Sequence, residues 1–309
     1  MAVIETIDLT KKYGAFTALD NFNLSIEEGE IFGFIGPNGA GKTTTIRILA
    51  TLLAPTSGKA FVAGNDVSKD PRAIKKILGY MPDDFGVYDG MRLREYLDFF
   101  GAAYRIPGRE RKSIIDDVLQ LTDLTSKADE YVSAFSRGMK QRCCLAKTLI
   151  HNPTVLLLDE PASGLDPRAR IEMKELLKTL SGMGKTILVS SHILSELGDM
   201  STKIGIIERG KLLASGNVKD ILAGIRQALE LRIEAIEGGD AVEAALKSTP
   251  GIAGYERSGG DFHVRTNMGR EEMAELHARI VRDGARLLFF GEEQGSLEDL
   301  FLTVTKGGV

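Results

Sequence analysis

The sequence predicts an α/β protein: a mostly parallel sheet covered by helices on both faces, interrupted by a helical insertion and followed by a small α+β unit. Three observations carry this reading. An apolar run from Ile31 to Ile35 stops at Gly36 and gives way to the helical stretch KTTTIRILATLL. Near-continuous apolar strands, TVLLLD (154–159), KTILVSS (185–191) and KIGIIE (203–208), alternate with helical segments, the pattern of a parallel sheet buried on both faces. From Leu229 the order becomes strand, helix, hairpin, helix, strand, which suggests a ferredoxin-like βαββαβ unit.

Residues 3–9 (VIETIDL) alternate apolar and polar with period two, as does NLSIEEGEIFGFI about a turn at Gly29, so both read as strands. Ala54, Pro55, Thr56, Ser57 and Gly58 end the first helix with turn chemistry. Between Asp89 and Leu124 the strand signals vanish. MRLREYLDFFGAAYRI and RERKSIIDDVLQL place apolar residues three and four apart, which predicts a helical insertion over about 85–135. A break follows Gly216. The expected organisation is a first domain over residues 1–220, a linker over 221–228 and an accessory α+β domain over 229–309. That last domain reads as LELRIEA, AVEAALKS, IAGYERSGGDFHVRT, REEMAELHARIVRDG, RLLFFGEE and a final helix, SLEDLFLTVTK, with no motif that carries chemistry.

A chain of 309 residues accommodates one large domain and a smaller one. Hydrophobic residues make up 43% and charged residues 27%, the range of a globular protein. A net charge of −4 argues against a nucleic-acid partner, whose footprint is a basic excess. No stretch approaches the roughly 18 apolar residues that span a bilayer. The N-terminus, MAVIETIDLTKKYG, alternates instead of presenting a basic segment before an apolar one. The expectation is a soluble chain with no signal peptide or transmembrane segment. The two cysteines, Cys143 and Cys144, are neighbours and read as small buried hydrophobes in a reducing compartment.

Gly36, Pro37, Asn38, Gly39, Ala40, Gly41, Lys42 and Thr43 satisfy G-x-x-x-x-G-K-[ST], the P-loop, and lie between a buried strand and a helix start as that motif requires. Its glycines let backbone N–H groups converge on phosphates, and the helix dipole adds positive potential. Lys42 then reaches the β- and γ-phosphates, and the Thr43 hydroxyl ligates Mg²⁺. The motif points to a nucleotide but leaves kinase, GTPase and motor chemistries open.

Further segments narrow the choice. VLLLDEP (155–161) is a buried strand ending in Asp159 and Glu160, which puts two carboxylates at the carboxyl edge of the sheet, where ligands bind in such folds. FSRGMKQR (135–142) opens a helix, SGLD (163–166) follows the acidic pair, TILVSSH ends at His192, and KYG (12–14) holds Tyr13. Taken alone, Ser136 is an N-cap, His192 a solvated side chain at a strand end, and Tyr13 as compatible with packing as with stacking. In this order and with the P-loop, the set closely resembles the ATP-binding cassette (ABC) ATPase family, over roughly residues 1–220.

The resemblance implies a P-loop ATPase cassette whose substrate is ATP and whose metal is Mg²⁺. It makes residues 36–43 and Thr44 the phosphate cradle and Tyr13 the adenine-stacking aromatic. Asp159 holds Mg²⁺ with Thr43, Glu160 is the general base, and His192 is the switch histidine that contacts the γ-phosphate. Ser136, Arg137 and Gly138 form the signature that acts on the nucleotide of the other subunit, although Phe135, Arg137 and Met139 depart from the commonest form. Asp166 belongs to the loop that contacts the partner subunit. Where most members carry a glutamine after a proline, Pro82 is followed by Asp83; a carboxylate accepts protons but lacks the amide donor, and the position is that of the hinge that senses the membrane partner.

The implied assembly is a homodimer that closes head-to-tail around two ATP molecules. It associates peripherally with the cytoplasmic face of the membrane through a separate transmembrane permease. SRGMKQR and the ending Ser296, Leu297, Glu298, Asp299, Leu300, Phe301 are similar to ATP-binding subunits of the ABC-2 group, so export of drugs, antibiotics, polysaccharide or sodium is the expected direction. Two other readings remain at this level. One is a non-transport ABC ATPase, whose usual second cassette or coiled-coil insertion is not seen here. The other is a weakly hydrolysing nucleotide-dependent scaffold, which Glu160 opposes and Asp83 keeps open.

Overall fold

A computed structural model describes residues 2–84, 86–88, 90–193, 197–198, 200–218, 221 and 229–293. The chain divides into two compact units, Met1–Val218 and Lys219–Val309.

In the first unit β1 (Ala2–Tyr13) and β2 (Phe16–Glu27) form a hairpin, and β3 (Ile31–Ile35) leaves it to feed α1 (Lys42–Leu49). β4 (Ser57–Val62) and β5 (Asn65–Asp66) return to the hairpin and complete an antiparallel sheet of order β2-β1-β4-β5. α2 (Pro71–Ile77) leads into β6 (Leu78–Met81); α3 (Leu93–Ala103) and α4 (Gly108–Leu121) build the helical insertion, closed by α5 (Arg137–Leu149). β7 (Val155–Leu158), α6 (Pro167–Gly182), β8 (Thr186–Ser191), β9 (Lys203–Glu208) and β10 (Lys211–Asn217) follow. The second sheet has the order β10-β9-β3-β8-β7-β6 and is parallel apart from the antiparallel pair β9 and β10. Every residue of β3, β7 and β8 is buried, as a parallel sheet covered on both faces requires.

Two local expectations need correction. The helix foreseen over KTTTIRILATLL ends at Leu49, because Thr51 turns left-handed (φ +60°) and the N–H groups of Leu52 and Leu53 both return to the Arg47 carbonyl. The turn foreseen at residues 54–58 already contains the start of β4, which pairs Ser57 with Thr10 and Val62 with Ile4. Only Ala60 and Val62 of that strand are fully buried, so its alternation is too weak to stand out beside a Pro and Gly cluster. The antiparallel sheet was therefore only half visible, as β1 and β2.

The two sheets of this unit share one core. Phe22 on β2 meets Phe34 on β3 with ring centroids 5.7 Å apart and tilted by 58°. Around them pack Ile4, Ile26, Ile46, Ile48 and Leu188, all fully buried. α1 is thus held by both sheets through Ile46 and Ile48, and the loop before it inherits that rigidity. The insertion packs its own apolar faces, including Leu93, Leu97, Ile115 and Leu119. Cys143 and Cys144 are buried and free, and burial pushes the Cys143 thiol up to about 12, so they act as core residues. No helix among the described residues is long and apolar enough to cross a membrane.

The second unit contains β11 (Leu229–Glu237), α7 (Gly239–Ser248), β12 (Ile252–Ser258), β13 (Asp261–Thr266), α8 (Arg270–Arg282) and β14 (Arg286–Glu293). Its sheet order is β12-β13-β11-β14 with every pair antiparallel, the split βαβ arrangement of ferredoxin-like folds. Val242, Leu246, Met273, Leu276 and Ile280 of the helices pack on Leu231, Ile233, Phe262 and Val264 of the sheet. The final helix expected over SLEDLFLTVTK and the linker positions 222–228 lie outside the described residues.

Because Phe34 is fully buried and sits on the strand that carries the P-loop, Phe34→Ala is expected to lower the unfolding free energy by about 3–5 kcal/mol. Denaturant titration checks this value.

Candidate functional site

Residues 36–41 join β3 to α1, whose first turn holds Lys42 and Thr43, at the carboxyl edge of the parallel sheet. Two glycines allow the loop its tight path. Gly41 is the helix N-cap at φ +116°, and a Cβ there would stand 2.8 Å from the Ala18 carbonyl oxygen; one at Gly36 would stand 2.3 Å from that of Ile207. No side chain caps α1, so its first N–H groups keep their donor capacity at the loop mouth. Lys42 is buried, and its Nζ donates to the Gly36 carbonyl at 2.5 Å and the Pro37 carbonyl at 3.3 Å. Pro37, Asn38 and Gly39 are exposed, Ala40 is buried, and Thr43 and Thr44 are half-buried on the first turn.

The acidic pair follows β7. Asp159 is buried, and its Oδ1 accepts from Ser190 Oγ at 2.6 Å. Its Oδ2 is buried with no hydrogen-bond partner among the described residues. Glu160 turns left-handed, at φ +52°, a conformation that is costly for a residue with a Cβ. This turn swings its side chain out of the strand line into the cleft. There Oε2 lies 2.7 Å from His192 Nδ1, and Oε1 lies 3.4 Å from Lys42 Nζ. The Glu160 side chain is 10% exposed and that of His192 42%, so the carboxylate is largely withdrawn from water between a cation and an imidazole.

Pro37, Asn38, Gly39, Gly41, Lys42, Thr43, Thr44, Glu160 and His192 line one cleft of about 290 Å³, together with Tyr13 and Asp83, whereas Gly36, Ala40 and the buried Asp159 lie behind its wall. Tyr13 is half exposed at the β1–β2 turn, with Lys11 Nζ 5.2 Å from its ring centroid. Burial against the cleft wall pushes the Asp83 carboxyl up, the Asp159 and Glu160 carboxylates push it further, and the Arg137 guanidinium acts in the opposite direction. Three acids thus lie close together, with Lys42 the cation beside Glu160 and Arg137 the one that acts on Asp83.

Ser136, Arg137, Gly138 and Asp166 do not line that cleft. Ser136 caps α5, its Oγ accepting from Met139 N–H at 3.3 Å, and Asp166 caps α6, accepting from Ala169 N–H at 2.9 Å. The two helix starts pack together: Gly138 faces Leu165 and Ala169, Arg137 lies over Gly164, and Gln141 Nε2 donates to the Ser163 carbonyl at 3.0 Å. Two participants went unnoticed in the sequence: Phe16 stands exposed beside Tyr13 at the cleft, and Ser190 touches both members of the acidic pair. Ser163, read only as part of the SGLD loop, also lines the cleft. A serine buried in the strand, two residues before His192, was the available signal for Ser190.

The geometry agrees with what the chain resembles. Residues 19–163 match the family model described as ABC transporter. The chain is 36% identical to the bacitracin transport ATP-binding protein BcrA of Bacillus licheniformis over 308 residues, covering 99% of this chain and 98% of that protein. It is 33% identical to the daunorubicin resistance ATP-binding protein DrrA2 of Streptomyces coeruleorubidus, covering 96% of this chain and 93% of that one. Among solved structures it resembles a dimeric post-hydrolysis ATP-binding cassette bound to ADP and Pi, with a TM-score of 0.63 and 27% identity over 70% of this chain and 98% of that one. A P-loop, a carboxylate held between lysine and histidine, and full-length likeness to transport ATP-binding proteins lead to one conclusion: this chain belongs to the ABC transporter family, as an ATP-binding and ATP-hydrolysing subunit.

Proposed function

We propose that this subunit powers an exporter, two copies closing around two ATP molecules on the cytoplasmic side of a separate membrane permease. The observation that carries the chemistry is the placement of the Glu160 carboxylate between Lys42 and His192. The relatives named for bacitracin transport and daunorubicin resistance support the direction of transport. The ordered contact between the starts of α5 and α6 supports a surface that meets a second copy as one piece.

In this reading Tyr13 stacks on adenine and the loop N–H groups hold the phosphates. Arrival of the phosphates exchanges the Lys42–Glu160 contact for Lys42–phosphate, which frees Glu160 to face water. Water then attacks the γ-phosphorus, the bond to the β–γ bridging oxygen breaks, and the water proton passes to Glu160. His192, hydrogen-bonded to Glu160, keeps that carboxylate aimed and contacts the γ-phosphate. The unpartnered Asp159 Oδ2 and the half-buried Thr43 hydroxyl are oxygen donors that fit Mg²⁺, which would neutralise phosphate charge when bound. Ser136, Arg137 and Gly138 would meet the nucleotide of the second copy, and Asp166 its facing surface. Asp83 would sit at the hinge to the permease, and residues 229–309 would form an accessory domain that follows, in sequence, a first domain of residues 1–220.

ATP turnover by the purified chain is expected to rise more than linearly with protein concentration. Lys42→Ala should abolish it, and Glu160→Gln should lower kcat by roughly 10²–10⁴-fold while trapping an ATP-bound dimer visible in size-exclusion chromatography. Linear turnover that survives Glu160→Gln would rule out this centre. Chelation of Mg²⁺ is expected to stop hydrolysis without abolishing ATP binding, as equilibrium dialysis with labelled ATP reports. Removing one of the crowded negative charges with Asp83→Asn should tighten metal-free ATP binding by about 3–10-fold; unchanged affinity would place Asp83 out of reach of the phosphates.

A further inference from the structure

Ser190 has a place that neither the P-loop nor the family motifs assign. It is fully buried near the end of β8. The parallel pairing of Leu158 with Val189 brings it beside the acidic pair. Its Oγ donates to Asp159 Oδ1 at 2.6 Å and accepts from the Glu160 backbone N–H at 3.0 Å. A hydroxyl has one proton to give, so these two bonds fix its rotor in a single sense. The neighbouring Ser191 is turned to another task, its Oγ accepting from Ile193 N–H at 3.0 Å.

We propose that Ser190 is a positioning residue of the hydrolytic centre, one hydroxyl that sets both the coordinating face of Asp159 and the aim of Glu160. Occupying Oδ1 leaves Oδ2 as the carboxylate oxygen without a partner among the described residues, so the bond decides which oxygen is offered to a divalent cation. Holding the Glu160 N–H supports its left-handed backbone at φ +52°, a strained conformation that persists only when its surroundings enforce it. Without that bond the backbone relaxes toward the strand conformation and carries the carboxylate away from His192. Ser190 also lies two residues before His192, which follows directly on the end of β8, so one short segment sets the base, its imidazole partner and the metal-facing acid together.

The inference rests on the roles given above to Asp159 and Glu160, and the test separates the two. Ser190→Ala removes the hydroxyl, and Ser190→Cys keeps nearly the same volume with only a weak donor. Both are expected to lower kcat by about 10–100-fold and to weaken Mn²⁺ binding by a similar factor, the scale for groups that orient metal ligands. Mn²⁺ binding is read by electron paramagnetic resonance in the presence of a non-hydrolysable ATP analogue. The KM for ATP should stay within about 3-fold, because the P-loop and Tyr13 are untouched. If Ser190→Ala fails to fold, Ser190→Cys carries the test alone. A Ser190→Cys chain with wild-type kcat and Mn²⁺ affinity overturns the proposal and makes Ser190 a space-filling residue. Asp159→Asn is the companion: loss of Mn²⁺ binding there, with none in either Ser190 variant, sinks only the role of Ser190. Intact Mn²⁺ binding and hydrolysis in Asp159→Asn removes the site reading on which that role depends.

Discussion

The parallel pairing of β3, β8 and β7 governs everything at the nucleotide end of the first unit. Ile35 lies opposite Ser191, and Leu158 lies opposite Val189. The chain positions that follow, Gly36 on one strand, Ser190 to His192 on the next and Asp159 with Glu160 on the third, therefore emerge side by side at one edge. A shift of one residue in either pairing would turn the side chains of a strand to the opposite face and separate Lys42 from Glu160. That pairing is secured by burial on both faces, with every residue of the three strands withdrawn from water. The apolar runs that look like simple core sequence are thus the positioning device of the site.

Charge is the second constraint. Burial, and then the neighbouring Asp159 and Glu160 carboxylates, raise the proton affinity of Asp83, and Lys42 and His192 are the charged or ionisable groups that touch the Glu160 carboxylate. An arrangement so rich in acid and so poor in base is poised for cations, and the orphaned Asp159 Oδ2 marks where such a need is greatest. The departure at Asp83 from the usual amide belongs to this balance. Arg137, itself a departure within the signature, is the nearby positive charge that opposes the rise.

Much of this was legible before any coordinates. The P-loop, the acidic pair and His192 stand at strand ends that periodicity already located, and the second unit showed its βαββαβ order because each element is bounded by turn residues. What stayed hidden had physical reasons. β4 exposes three of its six residues, so alternation could not reveal it. The end of α1 depends on a left-handed Thr51, which no propensity marks. Ser190 looks like one more small residue in a buried strand until pairing sets it beside Asp159. Ser136 and Asp166 illustrate the converse, since each is an ordinary helix cap within its own chain, and a second copy is needed before any other duty can be seen.

The tie between α5 and the segment after Glu160 has a mechanical meaning. Gln141 on α5 grips the Ser163 carbonyl, while Arg142, one residue on, reaches Asp123 beyond α4 and Glu172 on α6. α5 therefore ties the residues just past α4 and the backbone three residues from Glu160 to two neighbouring side chains in its first half. Movement of the insertion would reach the segment after Glu160 through these two bonds, and movement of that segment would travel the same way outward.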